Sequence, residues 1–524
     1  MAVGIAIPQT LWKEVSVDWT HSLQKLLAST CILLLGAGSA SAGQDVSKLF
    51  GRSGEKWNPS GRLPDFSHAG YHSGEKAIPT VKQVADVKHF GAKGDGRTDD
   101  SEAFVKAIAS VKSGAIYIPP GRYRITRIIE ISKSGVVLRG AGVGKTFLVF
   151  PKPLNDIKPN MGKTTSGRPT SNYSWGGGFI WFKGVIRSGD LTTITAPVKR
   201  GRRTFTVASS EKLKPGQRIQ ISLRDDKKQS LLSHLYSDDP GDTRKIRAGS
   251  TRVSLPCRVV AAGKGQVTVD RYLPLDIRPT WSARIRQFAP TVTECGIENL
   301  CFLFPKRQYK GHFTELGYNA IQFSNVVDCW ARNIRIVNAD SGVYARGSFC
   351  TVQRISLETE GCRTDRRGLF GHHGVTLGGS DNLLTEFDVR MRFVHDITVS
   401  RTWGNVISNG RGQDLCFDHH KRAPFANLFT NLDLGAGSRM WNCGGGRSLG
   451  RNCGAFGTFW GIRAGKPQKH PGGFGPPSIN VVGVKTDKPS QTVVDGLWFE
   501  AINPKTLIPK NLHQAQLKCR LQKR

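Results

Sequence analysis

Three histidines recur at a nearly constant interval in the second half of the chain. His373 lies in GHHGVTL, His395 in VHDITVS and His419 in CFDHHK, at successive intervals of 22 and 24 residues. Such an interval is typical of one coil in a solenoid of stacked repeats. Residues one coil apart on parallel strands lie about 4.8 Å from each other. The spacing therefore predicts a column of imidazoles on one face of the solenoid.

Carboxylates and further histidines accompany this column. Asp396 and Asp418 are themselves 22 residues apart, and each directly follows or precedes a histidine of the column. Buried ionisable groups are costly unless they have partners or a chemical role. The candidate catalytic residues are therefore His373, His395, Asp396, Asp414, Asp418, His419 and His420.

Cationic and aromatic side chains surround the same stretch. Guanidinium and ammonium groups bind carboxylate or sulfate groups through charge-assisted hydrogen bonds, and tryptophan offers a flat apolar face to a sugar ring. The candidate substrate-binding residues are His372, Arg392, Arg401, Arg411, Lys421, Arg422, Trp403 and Trp441.

Two reactions fit these residue types. In β-elimination from a uronate polymer, a cation such as Arg411, Lys421 or Arg422 neutralises the carboxylate while a neutral histidine removes the C5 proton. In glycoside hydrolysis, two carboxylates flank the bond about 5–5.5 Å apart for retention or 6.5–9.5 Å for inversion. Asp396 and Asp418, one coil apart, would be near the first separation. The abundance of His, Arg and Lys favours elimination.

Metal binding is a third use of such residues. Three stacked imidazoles form a line, whereas zinc prefers a tetrahedral arrangement, so no metal site is predicted. Calcium would need clustered carboxylates. The candidates for such a cluster are Asp388, Asp396, Asp414 and Asp418, and Ca²⁺ remains open as a cofactor.

The charge of the chain narrows the choice of partner. Among 524 residues, 75 Lys and Arg face 40 Asp and Glu, which gives a formal net charge of +35. So large an excess indicates a polyanion: nucleic acid, an anionic membrane surface or an acidic polysaccharide.

The N-terminus favours the last of these partners. LQKLLASTCILLLGAGSASAGQ combines a basic residue, an apolar run and a small-x-small site, which predicts an exported protein whose signal peptide is cleaved after Ala42. The apolar run is too short to span a bilayer, and no later stretch approaches the roughly 20 apolar residues required. We therefore expect a monomer that binds an acidic polysaccharide, without a membrane span or a nucleic-acid partner.

Cysteine usage agrees with export. Removal of Cys31 with the signal peptide leaves ten of the 11 cysteines, an even number that suits an oxidising compartment. Cys443 and Cys453, which flank GGGRSLGRN, are the best candidates for a disulfide.

The elements that must position these residues are short strands. Segments such as ARNIRIVNADSG, CTVQRISLETEG and ANLFTNLDLG recur from residue 297 onwards, with roughly 20–24 residues per coil. The asparagines Asn382, Asn405 and Asn427 follow the same interval, which predicts a structural ladder at a turn. Ahead of them, Phe104, Ala107 and Ile108 lie at helical spacing behind Ser101 as N-cap, which predicts a capping helix.

The opening of this region resembles a known superfamily. FGAKGDGRTDDSEAF, IYIPPGRYRI and VVLRGAG, within residues 81–150, are similar to the start of the right-handed parallel β-helices of the pectate-lyase superfamily. The resemblance implies the fold. It leaves the reaction open, because the superfamily includes lyases, glycoside hydrolases, epimerases and phage tailspikes.

A second resemblance covers residues 365–460. GHHG, HDITVS, DHHKRAPFANLFTNLDLG and GTFW are similar to a C-terminal region of unknown function in secreted β-helix proteins of polysaccharide-degrading bacteria. This resemblance implies carbohydrate as the ligand but assigns no catalytic role.

These observations predict an all-β chain: a right-handed parallel β-helix with an N-terminal helical cap and a small antiparallel β insertion. The predicted divisions are a signal peptide (1–42), an arm (43–80), the start of the β-helix (81–186), the insertion (187–290), the main β-helix (291–465) and a C-terminal extension (466–524). The predicted function is cleavage of an anionic polysaccharide by β-elimination. Hydrolysis with paired aspartates and non-catalytic carbohydrate binding are the alternatives.

Overall fold

Two parallel sheets wind together along the solenoid in the computed structural model of the chain, which is a right-handed parallel β-helix. The structure describes residues 45–522, apart from Thr165, Cys362, Arg363, His470, Pro471, residues 487–492 and residues 495–496. The predicted signal peptide and its cleavage site after Ala42 lie outside the described residues.

The longer sheet has 17 strands and runs through the whole length of the β-helix. Its strands are Gln83–Asp86, Asp95–Asp99, Gly114–Ile118, Gly121–Arg124, Val136–Gly140, Thr146–Val149, Gly296–Leu303, Trp330–Val337, Thr351–Glu358, Leu383–Val389, Val406–Ser408, Arg411–Gly412, Leu428–Asp433, Thr458–Arg463, Asn480–Val484, Val493–Val494 and Leu497–Glu500. Nearly all pairings between these strands are parallel, as the serial repeats predict.

The shorter sheet has seven strands and forms the opposite wall of the same coils. Its strands are Ile129–Ile131, Ile180–Lys183, Asn319–Val327, Ser341–Ser348, Gly371–Leu377, Phe393–Val399 and Phe417–His419. Inward side chains from both sheets form one apolar core, in which Ile297, Ile334, Val375 and Ile397 are almost fully buried.

An antiparallel sheet of six strands interrupts the solenoid between two of its early coils. The strands are Asp190–Thr193, Thr204–Thr206, Arg218–Arg224, Arg252–Gly263, Gln266–Val269 and Arg284–Gln287. The short pair Ile186–Arg187 and Ala289–Pro290 closes its base, and a hairpin of Met161–Lys163 with Pro169–Ser171 precedes it. The insertion has its own apolar core, which also includes Trp403 and Phe425 from the β-helix.

Helices are few and short in the described part of the chain. The α-helices are Ser101–Ser110, Leu154–Ile157, Ser230–His234 and Leu512–Gln522, and the 3-10 helices are Tyr71–Gly74, Val87–Phe90, Asn172–Ser174 and Pro279–Trp281. The first α-helix buries Phe104 and Ala107 at the end of the core, as its spacing predicts. Its N-cap is Asp100, one residue earlier than predicted. Within the described residues, no helix combines the length and apolarity that crossing a bilayer requires.

Coil length varies more than the repeat predicts. Asn405 and Asn427, which stack on each other, are 22 residues apart, whereas the stacked pair Asn299 and Asn333 is separated by 34. The extra residues of the longer coils form excursions outside the sheets. One of these excursions, residues 304–318, contributes to the functional site.

The predicted asparagine ladder is confirmed. The Oδ1 atom of Asn405 accepts hydrogen bonds from the backbone N–H and the Nδ2 atom of Asn382, both at 3.0 Å. The Oδ1 atom of Asn427 likewise accepts hydrogen bonds from the backbone N–H and the Nδ2 atom of Asn405, at 3.1 and 3.0 Å. All three side chains are almost fully buried, so each amide satisfies backbone groups that water cannot reach.

Replacing Asn405 with alanine removes an acceptor that two buried donors of Asn382 share. Because each buried donor left unsatisfied costs about 1–3 kcal/mol, we expect the free energy of unfolding to fall by at least that amount. Urea denaturation measures the loss. The matched variant Asn160→Ala, at an exposed position, should change stability little, and equal stability of the two variants would contradict the structural role of the ladder.

The predicted disulfide between Cys443 and Cys453 is wrong, since both are free thiols. The Sγ atom of Cys443 lies 3.4 Å from the carbonyl oxygen of Phe417, and that of Cys453 lies 3.3 Å from that of Gly454. Burial raises the pKa of each thiol, so both remain protonated and pack as small apolar groups.

Candidate functional site

The outer face of the seven-stranded sheet carries a cleft of about 540 Å³. Because the strands are parallel and in register, Tyr344 pairs with Thr376, Thr376 with Thr398, and Thr398 with Asp418. Tyr344, Thr376 and Thr398 of this column form the floor of the cleft. The lining residues are Trp175, Tyr344, Arg346, His373, Thr376, Gly378, Thr398, Ser400, Arg401, His420 and Arg422.

Two of the three spaced histidines stack as predicted. His373 and His395 pair in register on neighbouring strands, with ring centroids 5.0 Å apart and ring planes at 30°. His372 lies beside them, with its ring centroid 4.1 Å from that of His373. The coil spacing therefore correctly predicted that these two strands are neighbours.

The prediction that His419 is the third member of this column is wrong. The coil shortens here, so that Thr398 meets Asp418 after 20 residues and His419 pairs with Val399. This register turns His419 into the apolar core, against Phe429 and other phenylalanines. The neighbouring His420 lies at the cleft instead, with its ring centroid 5.3 Å from that of His395.

Asp418 organises the histidines around it. Its Oδ2 atom accepts hydrogen bonds from Nδ1 of His420 at 2.8 Å and from the Thr398 hydroxyl at 3.3 Å, and it lies 3.1 Å from Nδ1 of His395. The Thr398 oxygen lies 3.1 Å from Nδ1 of His373. Since the hydroxyl donates to Asp418, it accepts from the N–H of His373. In the neutral form of both His373 and His420, the proton therefore resides on Nδ1 and the Nε2 lone pair is free.

Burial and contacts determine the charge states of this group. Burial lowers the pKa of His373 well below its usual range and that of His395 to about 4. Burial alone would raise the pKa of Asp418, but contact with His395 and His420 lowers it to about 2. At neutral pH, Asp418 is therefore a carboxylate, while His373 and His395 are neutral imidazoles.

The cleft holds three arginines without a carboxylate partner among the described residues: Arg346, Arg401 and Arg422. The guanidinium of Arg346 donates to the carbonyl oxygen of Trp175. Burial, followed by the charge of Arg401, lowers the pKa of Arg422. Positive charges gathered without counter-charges form a site for an anionic ligand.

The cleft continues into two neighbouring ones. Arg401 and Arg422 also line a cleft of about 410 Å³ beside the insertion, where Trp403 contributes to the wall. On the other side, Trp175 and Arg346 also line a cleft of about 390 Å³. The three clefts form one groove along the sheet, which suits an elongated ligand.

Asp396 and Asp414 do not line these clefts. Asp396 accepts hydrogen bonds from the backbone N–H groups of Phe393 and Cys416 and from the guanidinium of Arg439. Asp414 binds Ser438 and lies 3.6 Å from the same guanidinium. Both carboxylates are thus buried and already paired, and neither lines the central cleft.

The predicted binding residues divide into two groups. Arg401 and Arg422 line the central cleft, Trp403 lines the neighbouring cleft, and His372 lies among the clustered imidazoles. The other four are placed elsewhere: Arg392 pairs with Asp414, Arg411 binds Asp388 on the longer sheet, Lys421 lies beside Gly445, and Trp441 packs against Phe459 and Phe474.

The predicted calcium ligands do not cluster either. Asp388 binds Arg390 and Arg411, and the other three carboxylates are held as described above. Among the described residues, Asp418 alone of the four belongs to a group of side chains that could share a metal ion, and its partners there are histidines.

Sequence reasoning missed Trp175, Tyr344, Arg346, His312 and Glu315. Tyr344 and Arg346 lie on an outward row of a regular strand, so an alignment of the coils by register could have found them. His312 and Glu315 lie in the excursion of residues 304–318, where no repeat spacing signals a position.

A family model matches the first part of the chain. Residues 84–167 match the family model described as rhamnogalacturonase A/epimerase, pectate lyase-like. A pre-neck appendage protein of Bacillus phage B103 is 40% identical over 105 residues, and alginate lyase 7 of Azotobacter vinelandii is 35% identical over 97 residues. These segments cover 20% and 17% of this chain but only 11% of each relative.

Among solved structures, the tailspike protein gp49 of Pseudomonas phage LKA1 is similar over 72% of this chain and 63% of its own, with 15% identity and a TM-score of 0.43. The chain spans about a tenth of the length of the two curated relatives named above. Residues 84–167 therefore form a pectate-lyase-like domain at the start of a right-handed parallel β-helix.

Proposed function

We propose that the protein cleaves an anionic polysaccharide by β-elimination in the arginine-lined cleft. The observation that carries the proposal is that three arginines without a carboxylate partner among the described residues lie beside a histidine held by a buried carboxylate. Arginines bind the acidic groups of a sugar chain, and an oriented neutral histidine can remove a proton. The groove formed by the three clefts has room for several sugar units.

His420 is the base in this proposal. Its Nδ1–H is held by Asp418 at 2.8 Å, which leaves Nε2 free to accept the proton on C5 of a uronate. Arg401 and Arg422 neutralise the uronate carboxylate and so stabilise the charge that develops at C5. The electrons of the C5–H bond form the C4–C5 double bond, the C4–O4 bond breaks, and protonated His420 returns a proton to the leaving oxygen.

Hydrolysis by paired carboxylates receives less support. Within the described part of the chain, no Asp or Glu lines the central cleft, and Asp396 is held by Arg439. A retaining or inverting hydrolase needs two carboxylates that flank the scissile bond. We further propose that the protein is exported. An acidic polysaccharide is an extracellular substrate, and the N-terminus has the pattern of a signal peptide.

A substrate panel tests the proposal. The protein is incubated with alginate, pectate, ulvan, glycosaminoglycans and sulfated galactans, while the ultraviolet absorbance of unsaturated products and the reducing ends are recorded. We expect both signals to rise together on a uronate polymer. Reducing ends without absorbance would indicate hydrolysis, and binding with neither signal would indicate a non-catalytic carbohydrate-binding protein.

The double variant Arg401→Gln/Arg422→Gln removes two charges from the cleft and leaves polar side chains in their place. Because these cations bind the acidic groups of the substrate, we expect KM to rise by about tenfold or more and to depend less on salt. The matched control is Arg411→Gln, which removes an exposed arginine of the longer sheet. A KM equal to that of the control would contradict the assignment of this cleft.

A further inference from the structure

Behind the cleft, the histidine cluster has a feature that the proposed reaction does not use. We propose that His312, His372 and His395 bind one divalent transition-metal ion of the Zn²⁺ class. Each of the three offers a ring nitrogen, and these three nitrogens all lie within 4.8 Å of one another.

Distances within the cluster support a shared ion. The Nε2 atoms of His312 and His372 are 2.9 Å apart, and the ring centroid of His395 lies 5.4 Å from that of His372 and 5.8 Å from that of His312. Tetrahedral zinc with bonds of about 2.0–2.1 Å separates two ligating nitrogens by roughly 3.3 Å. The two Nε2 atoms therefore need to move apart by only a few tenths of an ångström to admit the ion.

Polar atoms of the cluster lack partners. Both ring nitrogens of His395 and the Nδ1 atom of His372 are buried without a hydrogen bond to any described residue. Buried polar groups almost always have a partner, and of these three nitrogens the Nε2 atom of His395 is the one that a metal ion would satisfy.

Carboxylates stand behind two of the three rings. The Oε2 atom of Glu315 lies 3.6 Å from Nδ1 of His372, and the Oδ2 atom of Asp418 lies 3.1 Å from Nδ1 of His395. Histidines that ligate a metal usually present the other ring nitrogen to such a carboxylate, which orients the ring. This arrangement leaves Nε2 of His372 and of His395 as the ligating atoms.

The excursion of residues 304–318 brings a third histidine to the cluster, so the three imidazoles do not form a straight line. His372 and His395 come from neighbouring coils, but His312 approaches from outside the two sheets, with its ring at 68° to that of His372. Three ligands from two directions suit a tetrahedral ion, whose fourth position remains for water or a substrate oxygen.

A competing set of ligands is less suitable. His395, Asp418 and His420 also lie close enough to share an ion. However, Asp418 already accepts hydrogen bonds from His420, Thr398 and the backbone N–H of Gly444. The three imidazoles are therefore freer than Asp418 to bind an ion. Nitrogen ligands favour zinc, nickel or copper over calcium.

Metal analysis without substrate tests this inference independently of the proposed reaction. The protein, purified without a histidine tag, is treated with chelator, loaded with Zn²⁺, dialysed and analysed by atomic emission. We expect one equivalent of zinc and a rise in Tm on loading, with no effect of Ca²⁺. The variant His312→Ala should lose the zinc and the Tm shift, whereas His89→Ala, at an exposed histidine, should retain both.

Circular dichroism establishes that His312→Ala is folded, which is expected because His312 lies in an excursion outside the sheets. If that variant does not fold, Co²⁺ loaded into the wild-type protein decides, since tetrahedral nitrogen ligation produces intense visible absorption bands. Failure of the wild-type protein to bind zinc, or equal zinc content in folded His312→Ala and wild type, would overturn the inference.

Discussion

The variant His420→Ala depolymerises its substrate about 10²–10⁴-fold more slowly than the wild-type protein, if His420 is the base. The loss appears in kcat more than in KM, because the side chain removes a proton in the transition state and contributes little to binding. The side chain of His420 is 32% exposed, so its truncation leaves the core intact. Initial rates with the polymer identified in the substrate panel measure the effect.

One control and one further variant test whether the effect is specific to His420. The variant His89→Ala removes an exposed histidine away from the cleft and should retain full activity. The variant Asp418→Asn keeps His420 in place but removes the charge that orients its Nδ1–H, so we expect a loss that approaches that of His420→Ala. Unchanged rates in folded His420→Ala would refute its role as the base.

The second large effect concerns stability, at the contact between the insertion and the β-helix. Two nitrogens of Arg271 each bind one carboxylate oxygen of Asp381 at 2.8 Å, and the side chains are 4% and 1% exposed. The variant Arg271→Ala leaves Asp381 buried without its cation. Because breaking a buried pair in this way costs about 3–5 kcal/mol, we expect the free energy of unfolding in urea to fall by that amount.

The double variant Arg271→Met/Asp381→Asn is the matched control. It removes both charges, and asparagine tolerates the left-handed backbone of residue 381, whose φ is 54°. A buried ion pair is often replaceable by neutral groups at little cost, so we expect the double variant to recover much of the stability. A double variant as unstable as Arg271→Ala would contradict this explanation.

The stability lost in Arg271→Ala should increase with pH. Burial raises the pKa of Asp381 to about 6 even beside Arg271, above the ordinary value of about 3.9. Folding therefore favours the protonated form, and the stability that protonation contributes is lost as the pH rises through the folded-state pKa. Removal of Arg271 raises that pKa further. We expect Arg271→Ala to cost more at about pH 8 than at about pH 5.

The regular part of the β-helix was predictable because one physical rule governs it. Stacked coils place equivalent residues at a constant interval, so Asn382, Asn405 and Asn427 marked a ladder and His373 and His395 marked a pair of strands. Local patterns also located the capping helix, since Phe104 and Ala107 follow helical spacing. These features depend on residues that are close within one coil or one coil apart.

The functional site was only partly predictable because it depends on departures from that rule. The shortened coil before Asp418 places His420 rather than His419 at the cleft, and a shift of one residue reverses the direction of a side chain on a strand. His312 enters from an excursion with no periodic signal. Asp396 and Asp414 resembled catalytic groups, but Arg439 lies 43 residues after Asp396, and spacing alone could not reveal that partner.

The central claim is that elimination takes place in this cleft, and the masses of the products test it most directly. A purified oligosaccharide from the polymer that the protein depolymerises is incubated with wild type and with Arg401→Gln/Arg422→Gln, and the fragments are weighed by mass spectrometry. We expect wild-type fragments whose masses sum to that of the intact substrate, with an unsaturated sugar at the new end, and far less of them from the variant. Fragments that together carry one added water, or equal yields from both proteins, would contradict the account.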